Sequence, residues 1–447
     1  MKSRKHMSTK ALPPIDTLAE GGNLQRTEAL TRQADKFLAH RRPLGPLEYA
    51  LSQSGFTVPK LAEQGNGCRI HDTLGNEFID WHQGFGATLL GHRNSEVENA
   101  IREQLGKGVN LSASSSPEVE VAVALCDMIP SAEMVSFGKN GSDATHAAIR
   151  LARAITGREM VFTTEYHGFH NWSLASDPTC EGIPQRQRNL IRTIPYNDIE
   201  ALEEMFREFP DEVAGLIVDP IRREIPNSDW FEGLRSLADR YGALLIFDEV
   251  VTGFRFSPGG VQELYGIIPD LTCVAKALAN GMPLSALLGK RRYMEKLPQI
   301  YFGMTYRGEA LSYASALASL NIYKREPVHE HVANIGTALR ERFDILAAKY
   351  DIPTTLKGHP ARMEVAFGCA GRISDLGIKS LFVQELVRNG IYSDGLFLPS
   401  YPMNEEVIEL TATALDKTMG VVRAAKDCNT LEGFLVYPTS EDCYKEA

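Results

Sequence analysis

The sequence predicts an α/β protein: a large domain on a mainly parallel sheet covered by helices, and a smaller α+β domain contributed by both chain ends. Three observations predict it. Between about residues 117 and 320, short apolar runs alternate with amphipathic helical patterns, as in a sheet wrapped on both faces. The stretches on either side differ in texture, with hairpin-like alternation before and long helices after. The chain has 447 residues, 43% of them hydrophobic, which is enough to bury a large core. The expected divisions are an N-terminal arm (1–45), the first part of the small domain (46–115), the large domain (116–320) and the rest of the small domain (321–447).

Taken in order, the arm is polar and irregular apart from a helix expected around Thr27 to Ala39. CRIHDTLGNEFIDW (68–81) alternates about a Leu-Gly-Asn turn and reads as a hairpin. HRNSEVENAIREQLGKG has apolar positions at helical spacing and ends in glycine. EMVSF (133–137) is a strand, followed by a helix with Ala144, Ala147, Ala148, Leu151 and Ile155 on one face. MVFTTEY (160–166), AGLIVDP (214–220), ALLIFDEV (243–250), LTCVAK (271–276) and LSALLG (284–289) are further strands. WFEGLRSLADRYG is a helix closed by glycine. The tail has a long helix in HEHVANIGTALRERFDILAAKY, short strands and a helix near 405–419.

A formal charge of −10 argues against a nucleic-acid binder and tolerates a cationic substrate. Seven scattered cysteines form no CxxC pair and no zinc spacing, which fits free thiols in a reducing cytoplasm. The basic start, MKSRKHMSTK, is followed by no apolar run, so no secretory signal is expected, and Met7 is an alternative start. No window is apolar for long enough to span a bilayer, and no membrane partner is expected.

Lys276, in CVAKALANG, reads in two ways: a stem lying along apolar surface, or an amine kept partly neutral to attack a carbonyl. Asp248 ends the apolar run ALLIF just as LTCVA delivers Lys276. In a parallel sheet both side chains reach one crevice at the carboxyl ends of the strands. Together they suit an amine that forms a Schiff base and a carboxylate that keeps a heterocyclic nitrogen protonated. GKNGSDATHAAIRLAR (138–153) follows a strand and opens a helix. Gly141 and the amide of Ser142 suit a single phosphate there, or the turn is an ordinary helix cap. No Gly-Lys-Ser/Thr follows, so it is not a P-loop. In YHGFHNW (166–172), Tyr166 or His167 lies over a flat ring, or the cluster is loop packing; no carboxylate or cysteine near His167 and His170 completes a metal site. QGFGATLLG (83–91) lacks the third glycine of a dinucleotide fingerprint, which speaks against a nicotinamide dehydrogenase.

At Lys276, Asp248, NGSDAT and YHG, the chain resembles pyridoxal-phosphate enzymes of fold type I. More narrowly, it resembles the class III aminotransferases, in the branch containing glutamate-1-semialdehyde aminomutase. The likeness is longest over 241–294 and extends from about residue 40 to the end. It implies a Schiff-base and proton-moving role for Lys276, pairing of Asp248 with the pyridine nitrogen, and Val250 under the ring. It also implies Tyr166 or His167 over the other face, and Gly141 with Ser142 on the phosphate. Thr305 is then expected on the phosphate of a neighbouring subunit, making a homodimer with a shared site. Phe85 falls in a segment that faces substrate in relatives. Arg222 and Arg223 read a substrate carboxylate or are solvated loop charges.

Aminomutases of the branch carry Gly-Thr-Leu-Ser-Gly-Asn-Pro where this chain has GMTYRGEAL, and Val-Glu-Pro is commoner in the family than VDPIRRE. The Tyr-Arg-Gly-Glu form resembles the branch's transaminases. The expected activity is therefore amino transfer from an amino-acid donor, glutamate foremost, to an aldehyde or ketone such as a sugar or specialised metabolite. The alternative is an aminomutase or another isomerase using the same cofactor. A cofactor-binding protein without catalysis is a further reading, opposed by the presence of Lys276, Asp248 and the phosphate turn.

Overall fold

The computed structural model describes residues 21–39, 61–368 and 373–435. The rest of the expected arm and the segment 46–60 lie outside the described residues, as do Cys369 and Cys443. The other five cysteines are free thiols.

The larger of two compact units comprises 84–90 and 94–330. Its strands are β1 (Met134–Gly138), β2 (Met160–Thr163), β3 (Ile191–Thr193), β4 (Val213–Val218), β5 (Leu244–Asp248), β6 (Leu271–Val274) and β7 (Ser285–Gly289). They form one seven-stranded sheet in the order β1-β7-β6-β5-β4-β2-β3. The sequence reading missed only β3, a three-residue edge strand too short to show alternation. β4, β5 and β6 are buried at every position, as parallel strands covered on both faces must be. β7 runs antiparallel to both neighbours. The helices follow their local signals. Asn94 caps Ser95–Leu105 by accepting from the amides of Glu96 and Val97, and Ser228–Tyr241 stops at Gly242, which is left-handed at φ 64°. The helix Gly141–Thr156 lays Ala144, Ala147, Ala148 and Leu151 into the core under the sheet.

The other unit contains 61–83, 91–93 and the chain from 331. The expected hairpin forms from Arg69–Asp72 and Glu77–Asp80, and the late strand Ile391–Tyr392 pairs parallel to it. Helices Val328–Lys349, Asp375–Arg388 and Glu405–Cys428 surround a core containing Phe78, Trp81, Phe343, Phe382 and Leu415. The last helix runs nine residues beyond its expected end, because Met419, Val422 and Ala425 continue the buried stripe. The observed division also differs from the expected limits. Segment 94–115 belongs with the larger unit, since Ser95–Leu105 packs along Ala310–Arg325.

Two stability outcomes follow. A Cβ at Gly336 would come within 1.8 Å of the Pro360 carbonyl oxygen, which is backbone and has little room to yield. Gly336→Ala is expected to cost at least about 1–3 kcal/mol, read as a melting point lowered by several degrees. His329 is buried and its Nε2 has no partner. Burial holds its pKa down at about 4 from 6.5, against the opposing pull of Glu263. A depressed histidine adds stability that is complete above its unfolded value and is lost as the pH falls through the folded one. The melting point should therefore drop between about pH 6.5 and pH 4, and less steeply in His329→Phe.

Candidate active site

β5 and β6 pair in parallel with Asp248 opposite Cys273. Lys276 lies three residues past Cys273, so the carboxylate and the amine leave adjacent strands at one edge of the sheet, within about 10 Å along the strand direction. Asp248 is 8% exposed. Its Oδ1 accepts from the amide of Val250 at 3.1 Å, and its Oδ2 lies 2.7 Å from Nδ1 of His167. Two partners on different oxygens fix the direction of the carboxylate.

His167 is held on every side. Its Nε2 lies 3.1 Å from Oγ1 of Thr164, its amide donates to Oγ of Ser173 at 2.8 Å, and its carbonyl accepts from Oγ1 of Thr145 at 2.7 Å. The imidazole is fully buried and parallel to the Trp172 indole at 6.2 Å. Sequence reading left either Tyr166 or His167 over a ring; the structure commits His167 to Asp248. Tyr166 is 58% exposed, and its phenol pKa is raised by burial and then by the Asp248 charge. His170 stacks on His146 at 4.6 Å and on Phe169 at 4.8 Å. Among the described residues, no group of three or more histidine, cysteine or acidic side chains is placed to hold a metal.

The turn before Gly141–Thr156 is built for close approach. The Asp143 carboxylate accepts from the amides of Lys139 and Asn140, at 2.9 and 2.7 Å. A Cβ at Gly141 would press on Val250 at 2.8 Å, and one at Gly168 on Oγ of Ser142 at 2.4 Å. The missing Cβ lets each backbone come up against these side chains. The helix has 16 residues, and its first amides have no partners within it, which suits an anion.

Lys276 carries a left-handed φ of 50°, which is strained for a residue with a Cβ. The helix Ala310–Arg325 holds the turn that follows. Tyr323 donates its hydroxyl to the carbonyl of Ala277 at 2.8 Å, and Ser315 donates to that of Ala279 at 2.7 Å. Glu249, next to Asp248, is buried and plays a different part. It accepts from the amides of Val261 (2.9 Å) and Gln262 (3.2 Å) and from Thr252 (2.7 Å), and burial raises its pKa.

The remaining expected residues are less enclosed. Arg222 is ion-paired with Glu165, and the amide of Asp219 donates to Oγ1 of Thr164 at 3.2 Å. Phe85 is half-buried in a left-handed turn at φ 56°. Thr305 is exposed, and its carbonyl accepts from Asn110 at 3.4 Å. Thr145, Thr164, Gly168 and Ser173 escaped sequence reading; the signal for Thr164 and Gly168 lay in TTEYHG, which follows the strand end.

A family model described as aminotransferase class-III matches residues 51–416. The chain belongs to the class III aminotransferases. Two similar curated relatives are glutamate-1-semialdehyde 2,1-aminomutases. That of Persephonella marina is 35% identical over 388 residues, covering 80% of this chain and 91% of its own. That of Aquifex aeolicus is 36% identical over 359 residues, covering 74% and 84%. Among solved structures, the FumI protein of Sphingopyxis sp. MTA144, in its PLP internal aldimine form, has a TM-score of 0.83 at 26% identity, covering 91% of this chain and 98% of its own. This class III aminotransferase is a fold type I enzyme dependent on pyridoxal phosphate. Its residues fit that cofactor: a helix N-terminus backed by two close-approach glycines for the phosphate, a braced carboxylate for the ring nitrogen, and a lysine on the adjacent strand end.

Replacing His167 with Phe strips Asp248 of its buried donor, worth about 1.5–3 kcal/mol. Turnover is expected to fall roughly 10- to 100-fold, the melting point to drop by several degrees, and the band of the bound cofactor to titrate at a changed pH. An unchanged pH profile would limit His167 to packing.

Proposed function

We propose that the protein is an aminotransferase that moves an amino group from an amino-acid donor, glutamate foremost, to an aldehyde or ketone acceptor. The observation that carries this reading is Glu309. It closes the Tyr-Arg-Gly-Glu stretch and stands where the aminomutase form has asparagine. Its carboxylate pairs with Lys139 at 2.9 Å, and both side chains are largely buried. It also accepts from the amide of Leu311 at 2.5 Å, capping Ala310–Arg325. The feature that sets this chain apart from the aminomutase form is thus wired to the phosphate turn rather than lying loose on the surface.

Bound pyridoxal phosphate supplies a carbonyl for amine exchange and a ring that accepts electrons. The chain's own residues do the rest. Asp248, directed by His167, keeps the ring nitrogen protonated. Gly141 and Ser142 would hold the phosphate, and Val250 and Tyr166 would pack against the ring. Lys276 would anchor the cofactor through its amine and, once that amine is freed by the incoming substrate amine, move the proton at the substrate α-carbon. Arg222 reads a substrate carboxylate in exchange for Glu165, and Phe85 faces the substrate. The active unit is a homodimer in the cytoplasm, in which Thr305 reaches the partner's phosphate. The exposed Val109, Leu111 and Tyr306 support this, because the bridge between Asn110 and Glu309 brings their segments together beside Thr305.

The curated relatives favour a second reading, intramolecular amino transfer in an aminomutase. Absorbance separates the two. Adding L-glutamate is expected to remove the visible band and release 2-oxoglutarate. A band unmoved by glutamate, with conversion of glutamate-1-semialdehyde to 5-aminolevulinate, would sink the aminotransferase reading. Lys276→Ala is expected to lose at least about 10⁴-fold in turnover and the cofactor's covalent retention after borohydride, read by mass spectrometry.

A further inference from the structure

Arg255 is among the largest fully buried side chains, yet nothing in the chemistry above uses it. A guanidinium taken out of water is costly unless its donors are engaged. One of its nitrogens donates to the carbonyl of Gly86 at 3.2 Å. At the far end of the same loop, the amide of Leu90 donates to Oδ1 of Asn280 at 2.9 Å. Asn280 is itself left-handed, at φ 38°. Between these ties, the Thr88 methyl lies 3.3 Å from where a Cβ on Gly281 would be.

The two ties come from different places. Arg255 belongs to the segment that follows Asp248, and Asn280 to the turn that follows Lys276. The loop they grip, Gly84–Leu90, stands with the larger unit although the strand leading into it does not. It starts with Gly84 at φ 57° and Phe85 at φ 56°, both left-handed. A phenylalanine keeps such a conformation only where its surroundings over-determine it. The two segments are also linked behind the loop. Phe254 stacks on Tyr323 at 5.9 Å, and Tyr323 donates to Ala277, next to Lys276.

We propose that Arg255 and Asn280 are positioning residues for the substrate. They fix the Gly84–Leu90 loop, and with it the Phe85 ring, relative to the strand ends that carry Asp248 and Lys276. In doing so they set which substituents the site accepts, without contacting the cofactor. The inference rests on the reading of Phe85 as substrate-facing.

The test uses the full-length holoenzyme and the variants Asn280→Gly, Asn280→Asp and Arg255→Met. Glycine keeps the left-handed backbone and removes the acceptor, whereas aspartate restores an oxygen at the same place. Hydrogen exchange over 84–90 should quicken at least tenfold in Asn280→Gly and Arg255→Met and stay near wild type in Asn280→Asp. Exchange over 244–250 should not change. The second readout is the ratio of rates at which aminooxyacetate and O-benzylhydroxylamine bleach the cofactor's visible band. Both probes attack a bound carbonyl cofactor whatever the natural substrate, so the ratio is readable even if glutamate leaves the wild type unmoved, which would be a failure of the aminotransferase reading alone. The ratio should shift at least fivefold in the two loosened variants and be rescued in Asn280→Asp. Unchanged exchange in Asn280→Gly overturns the proposal, as does a loosened loop with an unchanged ratio. A displaced visible band in Asn280→Gly would assign Asn280 to the cofactor and overturn it too. Should Arg255→Met fail to fold, the Asn280 pair decides.

Discussion

The register between β5 and β6 fixes the distance on which everything else at the site depends. Asp248 and Cys273 are opposed in a parallel pair, and a slip by one residue would turn every side chain of a strand to the other face of the sheet. Both strands are buried along their whole length, so the pairing is set by core packing well before any ligand is involved. The carboxylate and the lysine are thereby delivered to one edge. The loops then refine what the sheet has placed: Val250 and His167 orient the carboxylate, while Tyr323 and Ser315 hold the turn after Lys276.

Charge around the site is arranged in layers. Asp248 is directed by His167, while its sequence neighbour Glu249 points away and serves the backbone of 261–262. Beneath them, burial first and the Asp248 charge second push the Cys273 thiol well above its usual range. That thiol is a packing group, poorly suited to act as a nucleophile. The two adjacent acids in ALLIFDEV thus differ in role because one strand position faces the crevice and the next faces the core.

Much of this was legible in the sequence because its signals are local. Apolar runs ending in Asp248 and Lys276, and a glycine turn opening a helix at Gly141, need no knowledge of distant residues. The resemblance then supplied the cofactor and the roles. What stayed hidden was paired across long separations. His167 meets Asp248 from 81 residues away, and no spacing rule distinguishes that from stacking. Arg222 finds Glu165 across 57 residues. The place of 94–115 was misjudged for the same reason: Ser95–Leu105 has an ordinary amphipathic pattern, and only the long-range contact with Ala310–Arg325 decides which core it joins. The C-terminal helix runs past its expected end because its buried stripe passes through the polar Thr418, which carries no apolar signal in the sequence, to Met419, Val422 and Ala425.

β7 returns antiparallel to β6, with Ala286 opposite Val274 and Gly289 opposite Leu271. The connection that carries Lys276 therefore has both of its ends sewn into neighbouring strands of one sheet. Its backbone entropy is spent when the domain folds. Holding a ligand at the amine then asks only that the side chain's own torsions be fixed, at a cost of about 1.5–2 kcal/mol. For a carbonyl compound bound at the same edge, attack by this amine would be, in kinetic terms, an intramolecular event, for which effective concentrations far exceed any that free amines reach in solution.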